Sequence, residues 1–177
     1  QGGARYQAVL ELISEIFKDE KPADGIINEY LRARKYIGSK DRRFISEEVW
    51  KLIRKRIKLE FETGSRDPRR LFLWAYRDRL EEVFDGSAHG PEPLKDEERA
   101  WLEKENEQPY PPYIEAECPQ WIFQKIPQID FWKALNEPAA ADFRVNLTSR
   151  QEVKRRLEAE GIAAENTPYS PYGLRCR

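Results

Sequence analysis

The residue types that carry chemistry are thinly spread along this chain. Its single histidine, His89, lies in "SAHGPEP" with no Asp, Ser or Cys nearby in sequence, so no nucleophilic triad assembles around it. Cys118 and Cys176 are isolated from any second Cys or His at a ligand spacing, which predicts no metal site. Cys118 precedes Pro119, and buried packing is the expected fate of both thiols. The adjacent acids Glu47-Glu48 and Glu97-Glu98 diverge by about 100° on a helix and do not converge on a cation or a scissile bond.

The basic residues behave differently. Within 32–58, eleven basic side chains stand against three acidic ones, a net +8, whereas 81–107 holds ten acids against three bases, a net -7. The formal charge of -1 is therefore a sum of two opposed regions, and the local field says more about partners than the total does. Arg32, Arg34, Lys35, Lys40, Arg42, Arg43, Lys51, Arg54, Lys55 and Lys58 sit at the end of one expected helix and along the next, joined by the turn "YIGSK". Guanidinium forks suit phosphate oxygens, and a helix N-terminus at Ser39 to Arg42 adds a weak positive end, so the cluster points to a phosphate backbone rather than to base edges. The alternative is two ordinary solvated faces, or two runs that neutralise one another.

Apolar periodicity supplies the elements that must hold these residues. Tyr6, Val9, Leu10, Ile13, Ile16 and Phe17 recur at steps of three and four, predicting a first helix that ends near Asp19. Pro22 is placed in the first turn of a second helix carrying Ile26, Ile27, Tyr30 and Leu31. Gly38 followed by Ser39 reads as a stop and a new N-cap for a third helix over about 40–61, with Ile45, Val49, Leu52, Ile53 and Ile57 inward. Asp67-Pro68 opens a fourth that runs through Phe84.

The acidic helix and loop region, about 81–112, follows, with a charged helix around Trp101. Two short pieces interrupted by Pro127 are expected to tuck Trp121, Phe123, Phe131 and Trp132 under the bundle.

After Asn136 the pattern changes. "ADFRVNL" alternates like a half-buried strand, with Arg144 and Asn146 on one face as a second, weaker candidate contact pair and Phe143 and Val145 packing on the other. Thr148, with Gln151 three residues on, is the expected N-cap of a helix stopped by Gly161, and "LRC" starts a final strand. The reading is mainly α: an all-helical domain over 1–136, then the start of an α/β subdomain over 137–177, a small, incomplete β-α-β unit of the RRM/ferredoxin-like kind.

No apolar run approaches the roughly 18 residues of a membrane helix, and "QGGARYQAVL" lacks a basic segment followed by an apolar one, so a soluble cytoplasmic protein is expected.

"PADGIINEYLRARKYIGSKDRRFISEEVWKLIR" resembles the amino-terminal domain of the Sun/RsmB family of RNA 5-methylcytosine methyltransferases, a domain similar in fold to the antitermination factor NusB. "NEPAAADFRVNLTSRQEVKRRLEAEGIAAENTPYSPYGLR" resembles the segment that leads into that family's catalytic domain. The resemblance implies a NusB-like bundle that docks rRNA for methyl transfer from S-adenosylmethionine to cytosine carbon 5. It also implies a cysteine thiolate that adds to ring carbon 6 and a second cysteine that assists elimination. This chain has no Gly-rich cofactor loop and no Pro-Cys pair, so catalysis and S-adenosylmethionine are expected in a C-terminal methyltransferase domain outside it, with no cofactor held here. The rival expectation is a NusB-like module that binds a protein partner through exposed aromatics and the acidic region.

Overall fold

The computed structural model describes residues 2–18, 21–103 and 108–176, and it divides into two compact units, Gln1–Asn136 and Glu137–Arg177. It is mainly helical, with a small antiparallel sheet in the second unit.

In the first unit α1 (Gly2–Ile16) is the centre. It packs against α2 (Ala23–Ala33), α3 (Ser39–Arg54), α5 (Pro68–Ala75) and α6 (Leu80–Val83). Between α3 and α5 lies α4 (Arg56–Thr63), and a 3-10 turn, Arg77–Arg79, joins α5 to α6. The core follows the apolar stripes: Tyr6, Val9, Leu12 and Ile13 of α1 are buried against Ile26, Ile27, Ile45, Val49, Leu52, Leu71 and Phe72. The α1 stripe passes through Leu12, and Leu10 is only half-buried. The end of α1 expected near Asp19 lies outside the described residues.

The amino end of α1 is capped from a distance. The Gly3 amide donates to Asp85 Oδ2 at 2.9 Å, and a Cβ at Gly3 would stand 2.4 Å from Asp85 Oδ1. This bond, with Ser87 as a further donor, holds the Asp85 carboxyl down at about 2. Pro22 is the N-cap of α2 rather than a residue of its first turn.

The expected single helix over 40–61 is two helices with a break at Lys55. Distant side chains stabilise that break. Asn136 Nδ2 donates to the Arg54 carbonyl at 3.1 Å, and the Lys58 amide donates to Glu117 Oε2 at 3.2 Å, so groups freed at the junction find partners far along the chain. Glu117 sits at φ 50, in the left-handed region, and its burial raises the carboxyl to about 7 despite the Lys58 amide.

Asp67 and Pro68 do open α5, with Asp67 Oδ2 accepting the Arg70 amide at 3.0 Å. That helix stops at Tyr76 instead of reaching Phe84. There the Tyr76 ring turns into the core, 5.1 Å from Tyr6 and 4.8 Å from Phe72, and its hydroxyl donates to Glu48 at 2.7 Å. Burial and this bond push the phenol far up, and Glu48, the buried acid of α3, is also met by Lys51.

Four short helices complete the unit: α7 (Asp96–Leu102), α8 (Pro112–Glu115), α9 (Gln120–Phe123) and α10 (Ile129–Asn136). Lys104, Glu105 and Glu107 of the acidic run lie outside the described residues. The expectation that the α9 and α10 aromatics tuck under the bundle is overturned. Trp121 is 64% and Phe131 42% exposed, and Phe123 and Trp132 are only half-buried. Helices this short turn few side chains inward, and Trp132 Nε1 spends its proton locally on the Ile126 carbonyl.

In the second unit β1 (Ala141–Arg144), α11 (Arg150–Ala159), β2 (Ala164–Asn166) and β3 (Gly173–Cys176) form a three-stranded sheet in the order β1-β3-β2. Both outer strands are antiparallel to β3, so β1 and β2 run parallel with β3 between them, a split β-α-β arrangement. The strand β2 goes beyond the expected strand-helix-strand: "AEN" is too short to show alternation, and its pairing with β3 defines it. Ser149, not Thr148, caps α11, its Oγ accepting the Glu152 amide at 3.2 Å. Gly161, at φ 77, follows the helix end.

Among the described residues no helix is long and apolar enough to cross a membrane.

Candidate nucleic-acid interface

The corner between α2 and α3 gathers the densest of the basic residues. α2 ends at Ala33, and α3 begins after Gly38, which is its N-cap with an ordinary φ of -68 and no side-chain cap bond. Arg42 does not supply that cap but donates to carbonyls on the α2 side of the turn. Its Nε donates to the Ile37 carbonyl at 2.8 Å and its guanidinium reaches the Arg34 carbonyl at 3.2 Å, tying the outgoing helix to the incoming one. Arg42 is thus occupied with the fold of the corner.

Along α3, Lys40, Arg43, Glu47, Lys51 and Arg54 follow one another at steps of three and four residues, which places them in one stripe. The opposite side of the helix carries the buried Ile45, Val49 and Leu52, so the stripe is the outer face. Four cations and one acid occupy it. Arg43 pairs with Glu47 at 2.8 Å, an exposed pair that raises the guanidinium pKa further and holds it only weakly in place. Lys51 reaches Glu48 while its own side chain stays 60% exposed. Arg54 lies 6.0 Å from the Trp50 ring, and Lys40 has no hydrogen-bond, ion-pair or ring partner among the described residues.

The other expected contacts are distributed more widely. Lys35 is exposed at the corner beside the stripe's start. Arg34 stacks 3.6 Å over the Tyr30 ring and pairs with Glu11 at 3.5 Å. Arg32 is exposed but falls about 160° around α2 from Arg34, on a different face. Lys55 is exposed at the α3–α4 break, and Lys58 stands 5.1 Å over Tyr110. In the second unit Arg144 is exposed, 5.8 Å from the Tyr172 ring, and Asn146 is exposed just past β1. Their apolar partners part company: Val145 is buried, but Phe143 is 55% exposed because α11 packs over β2 and β3, leaving the β1 edge uncovered.

The described part of the acidic run does not pair with the basic one. Among the described residues no ion pair joins 32–58 to 81–107. Glu98 instead takes Arg69 in a two-pronged bond at 2.7 and 3.0 Å, which lowers the carboxyl and ties α7 to α5. Glu82 accepts the Tyr6 hydroxyl, and Asp85 caps α1.

Beneath the corner lies a cleft of about 860 Å³, bounded by α1, the end of α2, the α2–α3 turn and the loop around His89. It joins residues the sequence leaves unconnected: Arg5, Tyr30, Arg34, Tyr36, Asp41 and His89 all face it. No periodicity marks it, since its walls come from segments more than eighty residues apart. Among the described residues no group of His, Cys, Asp and Glu side chains could hold a metal ion. Cys118 and Cys176 are buried, and burial pushes the Cys118 thiol up, away from a reactive thiolate.

Comparison of the chain with protein-family models, with curated proteins and with solved structures gave no match.

Proposed function

We propose that the helical unit is an RNA-docking domain of NusB-like fold from a Sun/RsmB-type rRNA cytosine-5 methyltransferase, working in the cytoplasm. The observation that carries the docking is the outer stripe of α3, where Lys40, Arg43, Lys51 and Arg54 stand on the face opposite the core, with Lys35 at the corner. Cations so placed meet phosphate oxygens without reading bases, which positions structured rRNA rather than selecting its sequence. The methyltransferase assignment rests on the two resembling strings alone. In that reading S-adenosylmethionine and the two catalytic cysteines belong to the C-terminal methyltransferase domain, and Arg144 and Asn146 make lesser contacts on the way to it.

The test is a fourfold charge reversal, Lys35→Glu, Lys40→Glu, Arg43→Glu and Arg54→Glu, assayed for binding to an rRNA helix by fluorescence anisotropy. Arg42 is left intact because its loss disturbs the corner itself. Binding is expected to disappear while the helical circular-dichroism signal persists, and unchanged affinity overturns the docking role. Incubation of the chain with labelled S-adenosylmethionine and rRNA is expected to give no methyl incorporation.

One observation favours a second reading, a protein-interaction module. Trp121, Ile126, Phe131 and Leu135 of the α9–α10 segment are exposed together in sequence and offer an apolar contact surface. A partner that co-purifies through high salt, with no RNA shift in a gel, selects that reading over the first.

A further inference from the structure

The α2–α3 corner presents Tyr36 in a way its neighbour Tyr30 is not presented. The Tyr30 hydroxyl donates to Glu11 at 2.6 Å and its ring is covered by Arg34, so Tyr30 is part of the cleft wall. Tyr36 is 82% exposed, with no hydrogen bond from its hydroxyl and no ring partner among the described residues, yet it too lines the cleft. An aromatic face left open at the mouth of a cavity is a stacking platform for a flat ligand.

The charges around it are sorted by position. Inside the cleft, cations and acids are matched: Arg34 with Glu11 at 3.5 Å, and Arg5 with Asp41 at 3.8 Å. That interior is close to neutral and rich in hydrogen-bonding groups, so it suits an uncharged polar ring better than a phosphate. At the mouth the balance is different, because Lys35, exposed and without an ion-pair partner among the described residues, directly precedes Tyr36 in the α2–α3 turn. The arrangement is a neutral polar slot with an aromatic lip and a cationic rim. The chemical class that complements all three is a nucleotide with its base in the slot and a phosphate on Lys35.

We infer that the corner captures one unpaired nucleotide of the docked RNA, its base stacked on Tyr36 at the mouth of the cleft and a flanking phosphate held by Lys35. This rests on the RNA-docking reading and adds to it a preference for looped or bulged RNA over continuous duplex. A paired base cannot enter, since its faces are covered by its neighbours and its edge by its partner. The preference is therefore for structure, not for sequence.

The experiment compares an RNA hairpin carrying 2-aminopurine in its unpaired loop with a blunt duplex of the same stem. Wild type, Tyr36→Ala and Tyr36→Phe are titrated by anisotropy and by 2-aminopurine fluorescence. Wild type is expected to quench the loop fluorophore and to bind the hairpin more tightly. Tyr36→Ala is expected to lose roughly tenfold on the hairpin and nothing on the duplex, while Tyr36→Phe keeps both the affinity and the quenching. Equal hairpin affinity for Tyr36→Ala and wild type, with duplex binding intact, overturns the nucleotide capture and leaves the docking stripe standing. Failure of wild type to bind either RNA overturns both.

Discussion

Arg42 illustrates how a charged residue in a basic cluster can serve the fold before it serves a ligand. Its guanidinium bonds two carbonyls across the α2–α3 turn, those of Arg34 and Ile37, and so pins the turn between the two helices. Arg42→Ala is expected to destabilise the helical unit by about 1 kcal/mol, read as a lower urea midpoint with an unchanged slope. Arg43→Ala, next in sequence but on the exposed stripe, is expected to leave the urea midpoint unchanged.

Glu117 carries a second prediction at this scale. Its carboxyl pKa is raised by burial to about 7, so the folded state holds this proton more firmly than the unfolded chain does. The associated stability is fully present below the unfolded value of 4.5 and is lost as pH rises through about 7. Glu117→Gln keeps an acceptor for the Lys58 amide and removes the titration. The difference in urea midpoint between variant and wild type is thus expected to move in the variant's favour between about pH 5 and about pH 8. A difference that stays constant with pH contradicts the assignment.

Among the elements, those whose partners lie within their own stretch of chain could be read from it. The α1 stripe, the Asp67-Pro68 start of α5 and the inward row of α3 are all set by apolar spacing or by a cap within three residues. The break at Lys55 could not be, because the groups that stabilise it, Asn136 and Glu117, come from the far end of the unit. The same holds for Tyr76, whose ring ends α5 by joining Tyr6 and Phe72 in the core.

In the sheet, β2 exists by virtue of β3, and one close contact constrains their connection. A Cβ on Gly173 would stand 1.9 Å from Thr167 Oγ1, with the Thr167 Cβ at 3.0 Å. Gly173→Ala is expected to cost roughly 1–3 kcal/mol by overpacking, seen as faster amide exchange in β2 and β3.

For the molecule as a whole, the opposed charges of the two runs persist in the fold as separate regions. Within the described residues the basic run pairs with acids of α3, α4 and α1, bonds the corner's backbone or faces outward, while the acids of 81–107 cap α1, hold Arg69 and accept Tyr6. The candidate interface was legible in the chain as a density of Lys and Arg. Its shape was not: Arg42 turns to the backbone, Arg32 to another face, and the cleft with Tyr36 at its mouth draws on α1 and the His89 loop. Charge is a property of sequence, whereas the direction in which it points is set by helix phase and by partners that only folding brings near.

The docking claim is tested most directly by the salt dependence of RNA affinity. Four phosphate contacts from the α3 stripe imply a slope of about -3.6 in log affinity against log salt, a loss of roughly a hundredfold between about 50 and about 200 mM monovalent salt. The fourfold reversal should abolish that dependence together with the binding. An affinity that stays level across the same range, in wild type, contradicts the account.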